Sequence, residues 1–191
     1  MSNFSSIEIL ENNLTTLRET SFDKDNNMYM SQSSAEVVDF DKVKESCFIN
    51  GISTKELRSN DALIINRENE RYLFIEFKNG NITSKIKKEE IRTKISESLL
   101  ILNHILDKDL KYDKEHISYI LVYNKEKNKE FENQRFSSLS KMSNILGNYS
   151  KMSYLINGFG RYNIFFRNVK TINEEEFQDI SKQLENKTYN F

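Results

Sequence analysis

The sequence predicts an α/β (α+β) fold, a central mixed sheet of about four strands with helices on both faces. Three observations carry that expectation. Two β-patterned runs, residues 61–66 and 71–78, are joined by the polar Arg67-Glu68-Asn69-Glu70 and read as a hairpin. A long amphipathic stretch, about 84–106, follows directly, with Ile91, Ile95, Leu99, Leu102 and Leu106 on one stripe. The apolar run His116–Tyr123 comes next and reads as a strand buried on both faces. Strand, crossover helix and strand in that order favour a parallel neighbour, so residues 116–123 are expected beside 71–78.

The remaining elements follow in chain order. Ile7, Leu10, Leu14 and Leu17 recur at spacings of three and four, which predicts an N-terminal helix. Residues 20–32 are polar, with Asp23, Asp25, Asn26 and Asn27, and predict a loop. A second helix is expected from Ser33 or Ser34, carrying Val37, Val38, Phe40 and Val43. Residues 127–147 read as helical, with Phe131, Leu139, Met142 and Ile145 apolar and Gly147 as a C-cap. Asn163–Val169 reads as a last strand. A final helix is expected behind Thr171-Ile172-Asn173-Glu174, which has capping-box spacing, and buries Phe177, Ile180 and Leu184. No repeat or linker divides the chain. One domain, 1–191, is expected, made of an N-terminal helix and loop (1–32), a core (33–123) and a C-terminal helix-strand-helix extension (124–191).

Composition sets further bounds. The chain has 28 Lys plus Arg against 29 Asp plus Glu, a net charge of −1, which excludes a histone-like basic binder but leaves room for a local basic surface. Thirteen Phe and nine Tyr supply the aromatic bulk of a globular domain. One cysteine excludes a disulfide framework within the chain and any multi-Cys zinc or iron–sulfur site, and two histidines argue against a histidine-rich centre. Apolar runs such as Leu99–Leu102 are too short to span a bilayer. The start, Met1-Ser2-Asn3-Phe4, lacks signal-peptide features, so a cytoplasmic protein without a membrane partner is expected. Cys47 reads as a buried structural thiol. His104 and His116 have no nucleophile or ligand partner at useful spacing.

The chemistry concentrates in residues 61–78. Strand alternation places Tyr72, Phe74, Glu76 and Lys78 on one face, so two ionisable groups end an otherwise apolar strand. Burying charge there is costly unless it is paired or binds a metal. In an antiparallel hairpin the start of one strand lies beside the end of the next, which brings Asp61 close to Glu76 and Lys78. Two carboxylates and an ammonium at one edge suit a hard cation such as Mg²⁺. A Glu-x-Lys pair on a strand is also a common cross-strand salt bridge.

Asp61, fourteen intervening residues, then Glu76-Phe77-Lys78 resembles the PD-(D/E)xK nuclease superfamily, which includes restriction endonucleases and Holliday-junction resolvases. The setting is similar too: Asp61-Ala-Leu-Ile-Ile65 opens one strand, Ile75-Glu-Phe-Lys78 closes the next, and a long helix follows. Asn60 stands where the motif has its proline. The resemblance spans about residues 33–123 and implies a restriction-endonuclease-like core. It further implies Mg²⁺-dependent (or Mn²⁺-dependent) hydrolysis of phosphodiesters, with DNA ahead of RNA as the nucleic-acid partner. Asp61, Glu76 and the Phe77 carbonyl would hold the metal, and Lys78 would activate water or offset developing charge. An inactive nuclease-like fold serving as a protein- or nucleic-acid-binding module in defence or toxin systems is the alternative. A homodimer or protein partner is compatible with either.

Other residues have two readings. Glu36 matches the superfamily's glutamate on a first core helix, and Ser33-Ser-Ala-Glu36 is equally a capping box. Asp39 and Asp41 are nearby fallbacks. Lys94 could approach the site or contact phosphate, although an i, i+4 surface pair with Glu90 is the expected arrangement. Lys85, Lys87, Lys88, Arg92 and Lys94 could track a phosphate backbone, or form a solvated helix face diluted by Glu89 and Glu90. Phe159, Arg161 and Tyr162, around Gly158 and Gly160, could stack on bases, but an aromatic turn packed on the core is expected.

Overall fold

The computed structural model describes residues 4–134 and 159–189. The sheet is mixed and has six strands rather than about four. Across it lie β1 (Leu14–Thr16), β4 (Glu36–Asp39), β7 (Ala62–Asn66), β8 (Arg71–Lys78), β9 (Ile117–Tyr123) and β10 (Asn168–Asn173), in that order. The pairs β1–β4, β4–β7 and β7–β8 are antiparallel. β9 lies parallel to β8, with Tyr72 beside Ile117 and Lys78 beside Tyr123, as the crossover rule predicts. β10 continues the sheet parallel to β9. The two extra strands, β1 and β4, come from segments without clean alternation. Two small hairpins stand apart from the sheet: β2 (Phe22–Asp23) with β3 (Met28–Tyr29), and β5 (Phe48–Ile49) with β6 (Ile52–Ser53).

Apolar side chains alternate to the two faces and build two cores. On one face Val38, Leu63, Phe74, Tyr119 and Leu121 meet Leu10 of α1 (Phe4–Glu11), Phe40 and Val43 of α3 (Phe40–Ser46), and the stripe of α4 (Lys85–Leu106). On the other, Val37, Ala62, Leu73, Ile75 and Val122 meet Leu17 of α2 (Leu17–Thr20) and Phe177 and Leu184 of α6 (Glu174–Glu185). All seven residues of β9 are buried, which is why that stretch reads as an unbroken apolar run. α5 (Leu110–His116) leads directly into it.

α4 carries the predicted stripe: Ile91, Ile95, Leu99 and Leu102 are buried and Leu106 is partly so. Ser84 caps its first turn by accepting from the Lys87 N–H, and Asp107 ends it in the left-handed region, φ 54°.

Five expectations are corrected. The N-terminal helix expected to carry Leu14 and Leu17 ends at Glu11, because Leu14 enters β1 to pair with Val38 and Leu17 opens the separate helix α2. The helix expected from Ser33 begins at Phe40, because Val37 and Val38 pack on opposite faces of the sheet, which a strand achieves and a helix does not. Asp39, not Ser33, caps that helix by accepting from the Lys42 N–H. The 20–32 segment is not all loop but contains the β2–β3 hairpin. The last strand is β10, five residues later than Asn163. Residues 159–164 form a 3-10 turn, anchored by Phe166 buried against Tyr119, and the ladder starts only where Asn168 meets Ser118. Thr171 is therefore a buried strand residue, and the capping box belongs to Asn173 and Glu176. A helix begins at 129–134; its expected continuation to 147, with Leu139, Met142, Ile145 and Gly147, lies outside the described residues, as do Gly158 and the side chains of Phe159 and Arg161. Tyr162 packs against Phe165 and Phe166, as expected for an aromatic turn on the core.

Candidate active site

Asp61, Glu76 and Lys78 converge where the β7–β8 ladder ends. The last pair is Ala62 with Ile75, so Asp61 sits just before β7 and Phe77 just past the ladder. The Phe77 N–H donates to Asp61 Oδ2 at 2.6 Å. In a strand the N–H and C=O of one residue share an edge, so the Phe77 carbonyl faces the same side as Asp61. The segment before β7 is held by α4: the Asn60 N–H donates to Ser98 Oγ at 2.7 Å, and Ser98 is fully buried.

The helix also supplies a lysine. Lys94 Nζ lies 2.7 Å from Glu76 Oε1 and 3.1 Å from Asp61 Oδ1, while Lys78 Nζ lies 2.8 Å from the same Glu76 oxygen. Lys94 thus bridges the two carboxylates and makes no surface pair with Glu90, contrary to expectation. Glu90 pairs with Lys78 at 3.2 Å and with Lys87 at 2.8 Å instead. Helical spacing explains the exchange, since 87, 90 and 94 share the flank of α4 that faces the end of β8. The core positions 91, 95 and 98 fix that flank's direction.

Burial and charge oppose each other here. Glu76 is fully buried and only 16–17% of the Asp61, Lys78 and Lys94 side chains is exposed. Burial, then the Glu76 charge, raises the Asp61 carboxyl to about 7, against the lowering pull of Lys94, Lys78 and the Phe77 N–H. Burial alone would lower Lys78 and Lys94, but Glu76 and Asp61 outweigh it and hold both ammoniums above their ordinary value. Glu90, despite its own burial, is drawn down to about 2 by Lys87 and Lys78. The lysine contacts to Glu76 miss hydrogen-bond alignment, so charge rather than direction holds them. Glu76 Oε2 is buried with no hydrogen-bond partner. Nearby, the buried Tyr119 phenol also lacks a hydrogen-bond partner; burial and the charges of Glu76 and Asp61 push it well above its usual value.

Asp61, Phe77 and Lys78 form part of the wall of a cleft of about 900 Å³. Glu19 of α2, Asp39 and Asp41 line it as well, so both fallback residues are near the site. Asp39 is engaged as the α3 cap and with Lys42 at 2.9 Å, and Asp41 with the Ser59 hydroxyl. Glu36 is not part of this cluster. It is exposed, pairs across the sheet with Thr16, and lies three strand residues, about 10 Å, from Asp39. Its expected place on a helix facing the site fails with the helix itself. Glu19 has no signal in the sequence, because the segment that bears it reads as the end of a helix and a loop. His104 and His116 stay outside the cleft, and Cys47 is buried as expected.

The donor set fits a hard cation in part. Two carboxylates and a carbonyl match what Mg²⁺ takes from a protein when water and substrate oxygens complete its shell, and the unpartnered Glu76 Oε2 is a buried acceptor awaiting a donor or cation. Among the described residues no group of three or more His, Cys, Asp or Glu clusters as metal ligands. The chain matches no family model, no curated protein and no solved structure. No helix among the described residues is long and apolar enough to cross a membrane.

Proposed function

We propose that the protein is a metal-dependent phosphodiesterase acting on nucleic acid, DNA ahead of RNA, with the Asp61–Glu76–Lys78 cluster as its active site. The observation that carries this reading is Glu76, fully buried with one oxygen lacking a hydrogen bond, set beside Asp61 and Lys78 of the cleft wall and held by Lys94. Burying a carboxylate in that position costs free energy, which pairing or a bound cation offsets. Asp61, Glu76 and the Phe77 carbonyl would hold Mg²⁺ or Mn²⁺, which when bound supplies charge stabilisation for the scissile phosphate and a more acidic water. Lys78, hydrogen-bonded to Glu90 and ion-paired with Glu76, presents a fixed ammonium at the cleft wall to orient water or offset negative charge. Lys94 holds the two carboxylates together before metal enters.

Three single substitutions test the assignment by calorimetry and by cleavage of plasmid and oligonucleotide substrates. Asp61→Asn and Glu76→Gln should abolish both Mg²⁺ binding and cleavage. Lys78→Met should keep Mg²⁺ binding and lower turnover by about 10²–10⁴-fold. Cleavage by Glu76→Gln at the wild-type rate would defeat the proposal.

One observation favours the second reading, an inactive fold used for binding. Lys78 and Lys94 already neutralise Asp61 and Glu76, so the cluster stands without a metal. On that reading none of the three variants changes Mg²⁺ affinity, because there is none to change.

A further inference from the structure

The cleft has a second chemistry beside its charges. Phe22, in β2, lines it together with Asp61 and Lys78. Its ring lies 4.7 Å from Tyr29 across the β2–β3 hairpin, tilted by 40°, and the Arg18 guanidinium sits 3.8 Å from the Tyr29 ring, so Phe22 is backed by a second ring and a cation. The hairpin itself is tied to the end of β8. Asp23 Oδ2 accepts from Asn79 Nδ2 at 2.7 Å, one residue past Lys78. Asp23 also accepts from the Asp25 and Asn26 N–H groups, which fixes the turn. The hairpin therefore sets an aromatic ring on the same cleft wall as Asp61 and Lys78.

We infer that the substrate of this site is single-stranded nucleic acid, with Phe22 as the stacking platform for a base next to the scissile phosphate; this rests on the nuclease reading above. Three features support it. Asp61 and Lys78 line the cleft with only 16–17% of their side chains exposed, so a phosphate has to enter the cleft to reach them. A duplex is stiff over about 150 base pairs and keeps its bases stacked inside, whereas a single strand can bend inward and offer a base face. Carboxylates outnumber lysines along the cleft wall, which penalises the paired phosphate rows of a duplex more than one flexible strand. Stacking also accommodates any base, so little sequence preference is expected.

The test uses the full chain, with Ca²⁺ replacing Mg²⁺ to hold complexes without turnover. The probes are fluorescein-labelled oligothymidylate and the same strand annealed to oligodeoxyadenylate. The single strand should bind about tenfold or more tightly than the duplex, and Phe22→Ala should weaken it by between about 5- and 100-fold while leaving Mg²⁺ affinity unchanged. Phe22→Trp should retain the affinity. Because the chain contains no tryptophan, the indole emission of that variant reports this one position and should be quenched by the single strand and not by the duplex. Urea unfolding of both variants shows whether the hairpin survives. Equal binding and cleavage of the two forms overturns the inference while leaving a nuclease in place. Wild-type binding by Phe22→Ala, with the indole emission of Phe22→Trp unmoved by the single strand, does the same. Absence of Mg²⁺ binding and of cleavage for either form overturns the nuclease reading itself.

Discussion

Two buried carboxyl groups sit at opposite ends of the β8–β9 pair, and burial raises both. Asp61, at the end marked by Lys78 and Tyr123, is raised to about 7. Asp113, in α5 just ahead of β9, is raised to about 6. Their surroundings differ in kind. Asp61 shares the Lys94 ammonium with Glu76, which also pairs with Lys78, and lines a cleft. Asp113 is fully buried, accepts only from Asn103 Nδ2 at 2.8 Å, and leaves its Oδ1 and the Asn103 Oδ1 without partners. A protonated Asp113 gains an O–H donor, which is what that amide oxygen lacks, so burial in the core accounts for its raised value without any ligand. The comparison teaches that a perturbed carboxyl alone does not mark a site. Converging cations and an opening to solvent do.

The largest effect should come from breaking the cation bridge. Lys94→Met leaves Asp61 and Glu76 with Lys78 alone and should cost about 3–5 kcal/mol in urea unfolding with EDTA present. Mg²⁺ should restore part of that loss if the carboxylates bind metal, and none if the cluster is only structural. Next comes pH. The Asp61 carboxyl takes up a proton below about 7, and a metal must displace it, so Mg²⁺ affinity should rise about tenfold per pH unit up to about 7 and level off above. Calorimetry in two buffers of different ionisation enthalpy should show close to one proton released per ion below that point.

Asp113 predicts a smaller and opposite result. Its folded value lies above its unfolded one, so the stability it contributes is complete below about 3.8 and is lost as pH rises through about 6. Asp113→Asn should remove that decline, leaving a protein about 1 kcal/mol or more stable than wild type at pH 8, with its Mg²⁺ profile unaltered. Smallest of all, Glu36→Gln should change neither stability nor Mg²⁺ affinity, within about 0.5 kcal/mol, because the residue is exposed on β4 away from the cleft. A marked loss of metal binding in that variant would bring Glu36 back into the site.

The hairpin, the long helix, the parallel β9 and the meeting of Asp61, Glu76 and Lys78 are all legible from periodicity, because alternation along β7 and β8 is a local property that pairing preserves. Lys94 is the harder case. An i, i+4 Glu–Lys spacing is the ordinary mark of a surface pair, and only the packing of Ile91, Ile95 and Ser98 turns that flank toward the buried carboxylates. Glu36 fails for the reverse reason. Its capping-box spacing is real, but Val37 and Val38 find partners on two faces of a sheet, and the pairing of Val38 with Leu63 and Leu14 overrides helical propensity.

What the sequence by itself determined, then, is the central β7–β8–α4–β9 unit and the side chains that end β8, since strand and helix periods select a face without reference to distant residues. Tertiary structure alone decided the strands β1 and β4, the late start of β10, and the second lysine of the site. Each of these depends on a partner remote in the chain: Thr16 on Glu36, Asn168 on Ser118, Lys94 on Glu76. The cleft is of the same kind, because its aromatic wall is tied to the end of β8 by the hydrogen bond between Asp23 and Asn79, which are far apart in sequence.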